Sequence, residues 1–468
     1  MANRNFFESL QAFGINRVLD YFDSNPEENM HKILKWVEVV GKGGDIEKQL
    51  KMFKKIVNDP SSNWYQLILD FWSDRIHPEV RRKFFENFII HATAIGTQRQ
   101  KKAMAEHDCN IPWAILMDPT SACNLKCTGC WAAEYGHTMS MSYETLDSIV
   151  EQGKELGTFM YIFSGGEPLT RKKDILRLCE KHNECMFLSF TNGTLIDEDF
   201  CNEMLRVKNF IPAISVEGFE EATDSRRGKG TFQAVSRAMD LLKEKQLPFG
   251  VSCCYTRYNT DVIGSEEYYD WMIDKGAMFC WFFTYMPVGA DASIDLIATP
   301  EQREYMFHRV REFRNTKKLF TLDFWNDGQY IKGCIAGGRY YLHINANGDI
   351  EPCAFIHYSD TNIHEHTLLE AYKNPLFMQY RQGQPFNENH HRPCPMFDNP
   401  TELERMVKAS GAHSTEALHP EDVSDLCAKC KKPAELWAPV ADRLWQKTLE
   451  EYAAMDANDA MRPNPRER

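Results

Sequence analysis

Between residues 111 and 315, short apolar runs alternate with amphipathic stretches six times. The runs are "IPWAILMDP", "FMYIFSGG", "MFLSFTNG", "IPAISVEG", "FGVSCCYT" and "MFCWFFTYMPVG"; Ser142–Leu156 and Thr231–Lys245 are two of the stretches between them. Runs of four to eight residues suit strands buried on both faces, and the intervening helical periodicity suits crossovers. Six such repeats imply an α/β chain whose parallel strands curl into a barrel or part of one. In a barrel of this kind the chemistry sits at the carboxyl ends of the strands.

The flanks read differently. Residues 1–108 are expected to form an all-helical N-terminal domain, with apolar spacing in "FFESLQAFGINRVLDYF" and "NPEENMHKILKWVEVV" and further helices at Asp45–Val57, Asn63–Trp72 and Pro78–Ile95. The barrel is assigned 109–315 and an irregular C-terminal domain 316–435. Within that domain "RYYLHINANGDIEPCAF" reads as a hairpin turning at Asn347-Gly348. Residues 436–468 are assigned a helix, with Trp437, Val440, Leu444, Trp445 and Tyr452 on one face, and a disordered tail. No apolar run reaches the length of a membrane span, and the N-terminus lacks a secretory pattern, so a cytoplasmic location is expected. The net charge of −13 argues against binding nucleic acid, which relies on lysine and arginine.

The chain has 15 cysteines, and in a reducing compartment clustered cysteines signal metal or redox chemistry rather than disulfides. Seven of them (Cys109, Cys179, Cys185, Cys201, Cys253, Cys254 and Cys280) lie in apolar or helical stretches and read as small core residues. Cys123, Cys127 and Cys130 follow the first strand as C-x3-C-x2-C, and "SGGEP" (Ser164–Pro168) ends the second. A structural zinc site would need a fourth ligand, for which His137 is available.

Together these motifs resemble the radical S-adenosylmethionine (radical SAM) enzymes. The resemblance implies a partial (β/α)6 TIM-like barrel in which Cys123, Cys127 and Cys130 hold three irons of a [4Fe–4S] cluster. S-Adenosylmethionine would chelate the fourth iron, and its reductive cleavage would give a 5′-deoxyadenosyl radical that takes hydrogen from an unactivated C–H bond. By the same resemblance Ser164, Gly165, Gly166 and Glu167 face the methionine amino group, Thr191 and Asn192 of "SFTNGTLI" lie near the ribose, and Ser215 and Arg227 contact the methionine carboxylate and ribose. "YMPVGADA" lies where the family's sixth strand approaches the adenine. One departure stands out: the family's aromatic residue before the third cysteine is Gly129 here, with Trp131 on the other side of Cys130.

A second set of cysteines follows. Cys334 to Cys353 spell C-x13-G-x4-C around Gly348, which is similar to the opening of SPASM and twitch extensions. With the "CAKC" pair, Cys427 and Cys430, they make four ligands for one auxiliary [4Fe–4S] cluster, and Cys394 is a spare that can replace one of them. No cysteine follows Cys430, so one auxiliary cluster is expected; a zinc ribbon or unliganded thiols are the alternatives. His357, His364, His366, His390 and His391 lie near this cluster, and Asp349, Glu351 and Tyr358 are in the same position; substrate binding or proton transfer is open to them, solvated loop residues are the more common reading, and no single general base stands out.

For the substrate, aromatic residues (Phe6, Phe7, Phe13, Trp36, Trp64, Trp72, Phe84, Phe85, Phe88) and basic clusters (Arg81–Lys83, Arg99–Lys102) in the N-terminal region lean toward a membrane lipid or other apolar metabolite, with peripheral membrane contact. The alternatives are a peptide- or protein-modifying maturase and, against the cosubstrate motifs, a non-catalytic iron–sulfur carrier. The resemblance further implies an external electron donor of the flavodoxin or ferredoxin type.

Overall fold

The computed structural model describes residues 20–21, 25, 27–32, 54–289 and 292–454. The helices expected before residue 20 and most of those up to residue 53, and the tail from 455, lie outside the described residues.

Nine strands form one sheet: β1 (Ala114–Met117), β2 (Met160–Phe163), β3 (Met186–Thr191), β4 (Phe210–Ser215), β5 (Gly250–Tyr255), β6 (Phe279–Thr284), β7 (Phe320–Asp323), β8 (Tyr341–Ile344) and β9 (Ile350–Glu351). Their order is β7-β6-β5-β4-β3-β2-β1-β8-β9. Every neighbouring pair from β7 to β8 is parallel, and β8–β9 is the expected hairpin, antiparallel, with Gly348 at φ +91 in its turn. The six expected β/α repeats are present. The sheet also extends beyond them: β8, from the C-terminal cysteine region, pairs with β1 in the register Ala114↔Tyr341 to Met117↔Ile344. The auxiliary hairpin therefore continues the barrel wall.

Helices α1 (Asn63–Trp72), α2 (Pro78–Phe84) and α3 (Gly96–His107) precede the sheet; a π-helical stretch, Phe85–Ile95, joins α2 to α3 where the sequence predicts a single helix ending at Ile95. The crossover helices are α4 (Tyr143–Leu156), α5 (Lys172–Lys181), α6 (Glu198–Val207), α7 (Glu220–Arg227), α8 (Thr231–Glu244), α9 (Glu266–Lys275) and α10 (Pro300–Thr316). Their ends follow the local chemistry. Ser142 caps α4 by accepting from the Thr145 N–H at 3.0 Å, and Gly157 closes it at φ +95. Thr299 and Gln302 form a reciprocal capping box on α10, with Pro300 in its first turn.

The two faces of the sheet are unlike. On β6, Cys280 and Phe282 are fully buried, and Phe282 packs on Tyr269 of α9, 5.7 Å between ring centroids. The alternate residues Trp281 and Phe283 point to the inner face and remain half-buried, as do Phe190 on β3, Ser215 on β4 and Cys254 on β5. Beyond the barrel, α11 (Pro375–Gly383), α12 (Pro400–Ser410) and α13 (Val423–Ala454) carry the C-terminal region, and Cys427 and Cys430 lie in the first turns of α13. Among the described residues no helix is long and apolar enough to cross a membrane.

Candidate active site

Four strand ends converge on the loop that holds Cys123, Cys127 and Cys130. The Ser164–Glu167 turn runs alongside it: the N–H groups of Ser164, Gly166 and Glu167 donate to the carbonyls of Met117 (3.1 Å), Thr120 (3.0 Å) and Ala122 (2.8 Å). The contact leaves no room for side chains. A Cβ on Gly166 would stand 2.1 Å from the Ala122 oxygen, and one on Gly165, at φ +103, would stand 2.5 Å from the Thr120 oxygen.

Glu167 is 1% exposed and ties this turn to the end of β3. Its carboxylate accepts from the Thr191 hydroxyl (2.6 Å) and from the N–H groups of Asn192 (2.7 Å) and Leu169 (2.9 Å). Burial raises its pKa, while the Thr191 hydroxyl and the two N–H groups pull it back. Asn192 reaches the cysteine loop by donating to the Asn124 side chain at 2.7 Å.

At the end of β4 an ion triad forms. Glu217, 0% exposed, accepts from Arg226 Nη1 (2.7 Å), Arg227 Nη2 (2.6 Å) and Arg227 Nε. Burial pushes the Glu217 carboxyl up, but the Arg227 and Arg226 guanidiniums outweigh it and hold it below its ordinary value. The triad grips the cysteine loop: the Arg226 carbonyl accepts from the Thr128 N–H at 2.8 Å, and Arg227 Nη1 lies 3.8 Å from Cys127 Sγ. Arg227 is thus a buried, paired side chain, and Ser215 stands half-buried at the mouth of β4.

Gly129 has a structural reason. A Cβ there would stand 2.6 Å from the Tyr285 ring and 2.7 Å from Leu296, so Tyr285, just past β6, occupies the space a side chain at 129 would need. Trp131 instead turns toward the C-terminal region, its ring 5.8 Å from Phe355 and 5.6 Å from His343. Rings continue from there along the inner face. Phe355 contacts Phe283 (6.3 Å) and Trp325 (5.3 Å), Phe283 stacks on Phe324 (4.8 Å), and Phe190 touches Phe283 (5.6 Å) and Trp281 (5.3 Å).

The second set of thiols shares one packed cluster with Tyr380: Cys427 and Cys430 are buried in it, and Cys334, Cys353 and Cys394, the spare in the sequence, pack against it. Burial, then the nearby thiols, push the Tyr380 hydroxyl pKa well up, and that hydroxyl is buried with no hydrogen-bond partner. Donors already point at sulfur: the Leu125 N–H at Cys123 (3.4 Å), the Ala336 N–H at Cys334 (3.4 Å), the Phe397 N–H at Cys394 (3.3 Å) and the Tyr341 hydroxyl at Cys353 (2.7 Å). Burial raises the Cys123 and Cys353 thiols to about 11 and the Cys334 and Cys427 thiols to about 12, so metal binding must displace protons.

Among the described residues, Asp147, Glu151 and His182 bring three donor atoms within 4.8 Å of one another, away from both cysteine sets. His137 is exposed. Of the five loop histidines, His357, His390 and His391 are buried rather than solvated; His357 bonds Glu416 at 3.0 Å and His391 bonds Thr448 at 3.0 Å. Glu217, Arg226, Asn124 and the grouping of Cys394 escaped the sequence reading, because no spacing rule connects them to the cysteine loops.

Residues 117–261 match the Radical SAM superfamily, and residues 334–396 match SPASM, an iron–sulfur cluster-binding domain. An AdoMet-dependent heme synthase from Methanosarcina barkeri is 22% identical over 295 residues, 57% of this chain and 83% of that protein. A cysteine-type anaerobic sulfatase-maturating enzyme from Clostridium perfringens is 32% identical over 255 residues, 49% of this chain and 64% of that protein. Streptococcus suis SuiB bound to S-adenosylmethionine superposes with a TM-score of 0.54 at 20% identity, over 82% of this chain and 90% of its own. SuiB bound to its precursor peptide SuiA gives 0.53 at 19%, over 74% and 81%.

Proposed function

The chain belongs to the radical SAM superfamily and carries a SPASM iron–sulfur domain; from that premise we propose that it is a maturase that modifies an apolar side chain of a peptide or protein. It is an enzyme of S-adenosylmethionine and iron–sulfur clusters. The observation that carries the site assignment is the convergence of Ser164–Glu167, Thr191–Asn192 and Glu217–Arg226–Arg227 on the three-cysteine loop. When bound and reduced, the cluster supplies the electron that cleaves S-adenosylmethionine to a 5′-deoxyadenosyl radical.

In this reading Cys123, Cys127 and Cys130 hold the first cluster, and Arg227 stabilises negative charge at Cys127. Gly165 and Gly166 bring the turn's backbone close enough to bind the methionine end. Thr191, Asn192 and Ser215 offer polar groups toward the ribose, and Tyr285 takes the adenine-side position that Gly129 leaves open. Cys334, Cys353 and Cys394, with Cys427 or Cys430, hold the auxiliary cluster.

The peptide reading rests on the sulfatase-maturating relative, on the SuiB fold and on the uncharged aromatic inner wall. The heme synthase relative's name suggests a tetrapyrrole as the other substrate class. The grounds for a lipid weaken in the fold. Arg81 donates to the carbonyls of Trp72 and Ser73, Arg82 pairs with Asp20, Lys83 pairs with Glu86, and Arg99 stacks over Phe159, so those cations have internal partners. Phe84 stacks on Phe88, and Trp64 packs on Phe320.

The test is anaerobic turnover with dithionite and S-adenosylmethionine, reading deuterium in 5′-deoxyadenosine from pools of side-chain-deuterated peptides and of deuterated lipids. Label from peptides supports the proposal. Label from lipids alone reverses the substrate assignment, and absence of any cleavage removes the site assignment.

A further inference from the structure

Beneath the cysteine loop lies a charged hub that none of the assignments above uses. His343, on β8, is 0% exposed and sits between two carboxylates that are also 0% exposed. Its Nε2 is 3.0 Å from Asp118 Oδ2, and its Nδ1 is 2.6 Å from Glu351 Oε2. Glu351 accepts further from the Tyr135 hydroxyl (2.7 and 2.8 Å), the Asn345 amide (3.0 Å) and the Thr415 hydroxyl (2.5 Å).

Each of these groups comes from a segment that leads to a different part of the site. Asp118 follows β1 and opens the loop to Cys123. It also supports the Ser164–Glu167 turn, since a Cβ on Gly165 would stand 2.8 Å from Asp118 Cβ and 2.9 Å from its Cγ. Tyr135 lies five residues after Cys130, and Trp131 sets its ring edge-on to His343. Glu351 lies two residues before Cys353, and Thr415 precedes the helix that carries Cys427 and Cys430. One imidazole thus connects the S-adenosylmethionine turn, the first cluster loop and the auxiliary cysteines.

An apolar cluster of the same volume would hold these segments together without the cost of burying three ionisable groups. A buried ion chain has a different property. Here the imidazole is hydrogen-bonded to Glu351 and charge-paired at 3.0 Å with Asp118, whose buried carboxylate has no hydrogen-bond partner, so a shift of either arm leaves Asp118 without its counter-charge. On the reading of the protein as a two-cluster radical SAM enzyme, we propose that His343 is a positioning residue that sets the auxiliary-cluster arm against the S-adenosylmethionine turn and the three-cysteine loop. Asp118 and Glu351 are the two anchor points, and Trp131 carries the register to Cys130.

The test uses full-length protein reconstituted anaerobically, as wild type, His343→Ala, and the double variant Asp118→Asn/His343→Gln. The double variant keeps the hub's net charge and leaves Glu351 its contacts with Tyr135, Asn345 and Thr415. The readouts are iron and sulfide per chain, S-adenosylmethionine affinity by equilibrium dialysis, and the distance distribution between the two reduced clusters by pulsed EPR. The double variant is expected to keep the wild-type iron content, to bind S-adenosylmethionine about tenfold or more weakly, and to show a broadened distance distribution. Unchanged affinity and an unchanged distribution would overturn the proposal, even if His343→Ala failed to fold. Wild-type protein that cleaves S-adenosylmethionine but shows one cluster only overturns it as well. Wild type that neither binds nor cleaves S-adenosylmethionine defeats the underlying enzyme reading and the proposal with it.

Discussion

Replacing Glu217 by glutamine tests the electrostatics of the first cluster loop directly. The carboxylate is fully buried and is the shared partner of Arg226 and Arg227, both largely buried themselves. Glutamine keeps the shape and one acceptor but leaves two guanidiniums with no anion. Breaking a buried pair by removing one partner costs about 3–5 kcal/mol. The retained amide oxygen places this variant toward the lower end, so a loss of about 3 kcal/mol is expected in urea unfolding of the apo chain at neutral pH. The pH dependence has a definite sign. Because the folded carboxyl titrates below its ordinary value of 4.5, its stabilisation is present above the unfolded pKa and is lost as pH falls through the folded value. The gap between wild type and variant should therefore be full at pH 7 and shrink below about pH 4. Loss of the triad also frees Arg227 from its place 3.8 Å from Cys127 Sγ, so a chelator should strip the first cluster faster from the variant. A loss of less than about 1 kcal/mol together with wild-type chelation kinetics would refute the reasoning, because it would mean that the two guanidiniums are solvated.

Three further outcomes follow from the same geometry. Gly166→Ala must move either the Ala122 carbonyl or the turn, since its Cβ would stand 2.1 Å from that oxygen; equilibrium dialysis should show weaker S-adenosylmethionine binding, with about 1–3 kcal/mol lost in urea unfolding. Cys394→Ala should lose the auxiliary cluster as Cys334→Ala does, about four of eight irons by elemental analysis, and a full iron complement in Cys394→Ala would return the ligand set to Cys334, Cys353, Cys427 and Cys430. Asp118 and Glu351 outweigh the burial of His343 and hold its imidazolium up to about 10. Its stabilising contribution is thus complete below the unfolded histidine value of about 6.5 and is lost as pH rises through about 10, so urea unfolding of the apo chain should weaken over that range, and less steeply in Asp118→Asn.

What the sequence reveals is what lies within one contiguous stretch. The C-x3-C-x2-C spacing, "SGGEP", the Asn347-Gly348 turn and the alternation of strands and helices are each written in neighbouring residues, because each is built by one loop or one element. The hub is not. Asp118, Tyr135, His343, Glu351 and Thr415 span about 300 residues of chain; Glu351 is visible beside the auxiliary cysteines, but nothing local links it to the other four. The pairing of β8 with β1 is hidden for the same reason: a parallel pair between the first strand and one 227 residues later (Ala114↔Tyr341) follows from closing a curved sheet, not from any turn between them. Cys394 shows the intermediate case, a visible cysteine whose grouping depends on how α11 and α12 return.

The basic triplet Arg81–Lys83 shows why charge patterns mislead in the opposite direction. On a helix beside aromatic residues, three cations in a row suggest an outward face meeting anionic lipid. In the fold they point three ways: Arg81 is 6% exposed and closes the carbonyls at the end of α1, Lys83 pairs one turn along, and Arg82 reaches back to Asp20. A guanidinium that satisfies the exposed carbonyls of a helix end replaces water there and contributes charge-assisted hydrogen bonds. Arg81 therefore has a structural role at the α1–α2 junction that does not depend on the substrate. The aromatics beside it pack on each other, and Trp64 meets Phe320 edge-on at the rim of the barrel, so they serve as the contact between the N-terminal helices and the sheet. The residues that bear on a substrate lie instead on the inner wall of the barrel, where Trp281, Phe283 and Phe190 are half-buried and meet Phe324 and Phe355. That wall is built from β3 and β6 and owes nothing to the N-terminal cations, so it is where substitutions should change substrate choice without touching the α1–α2 contact.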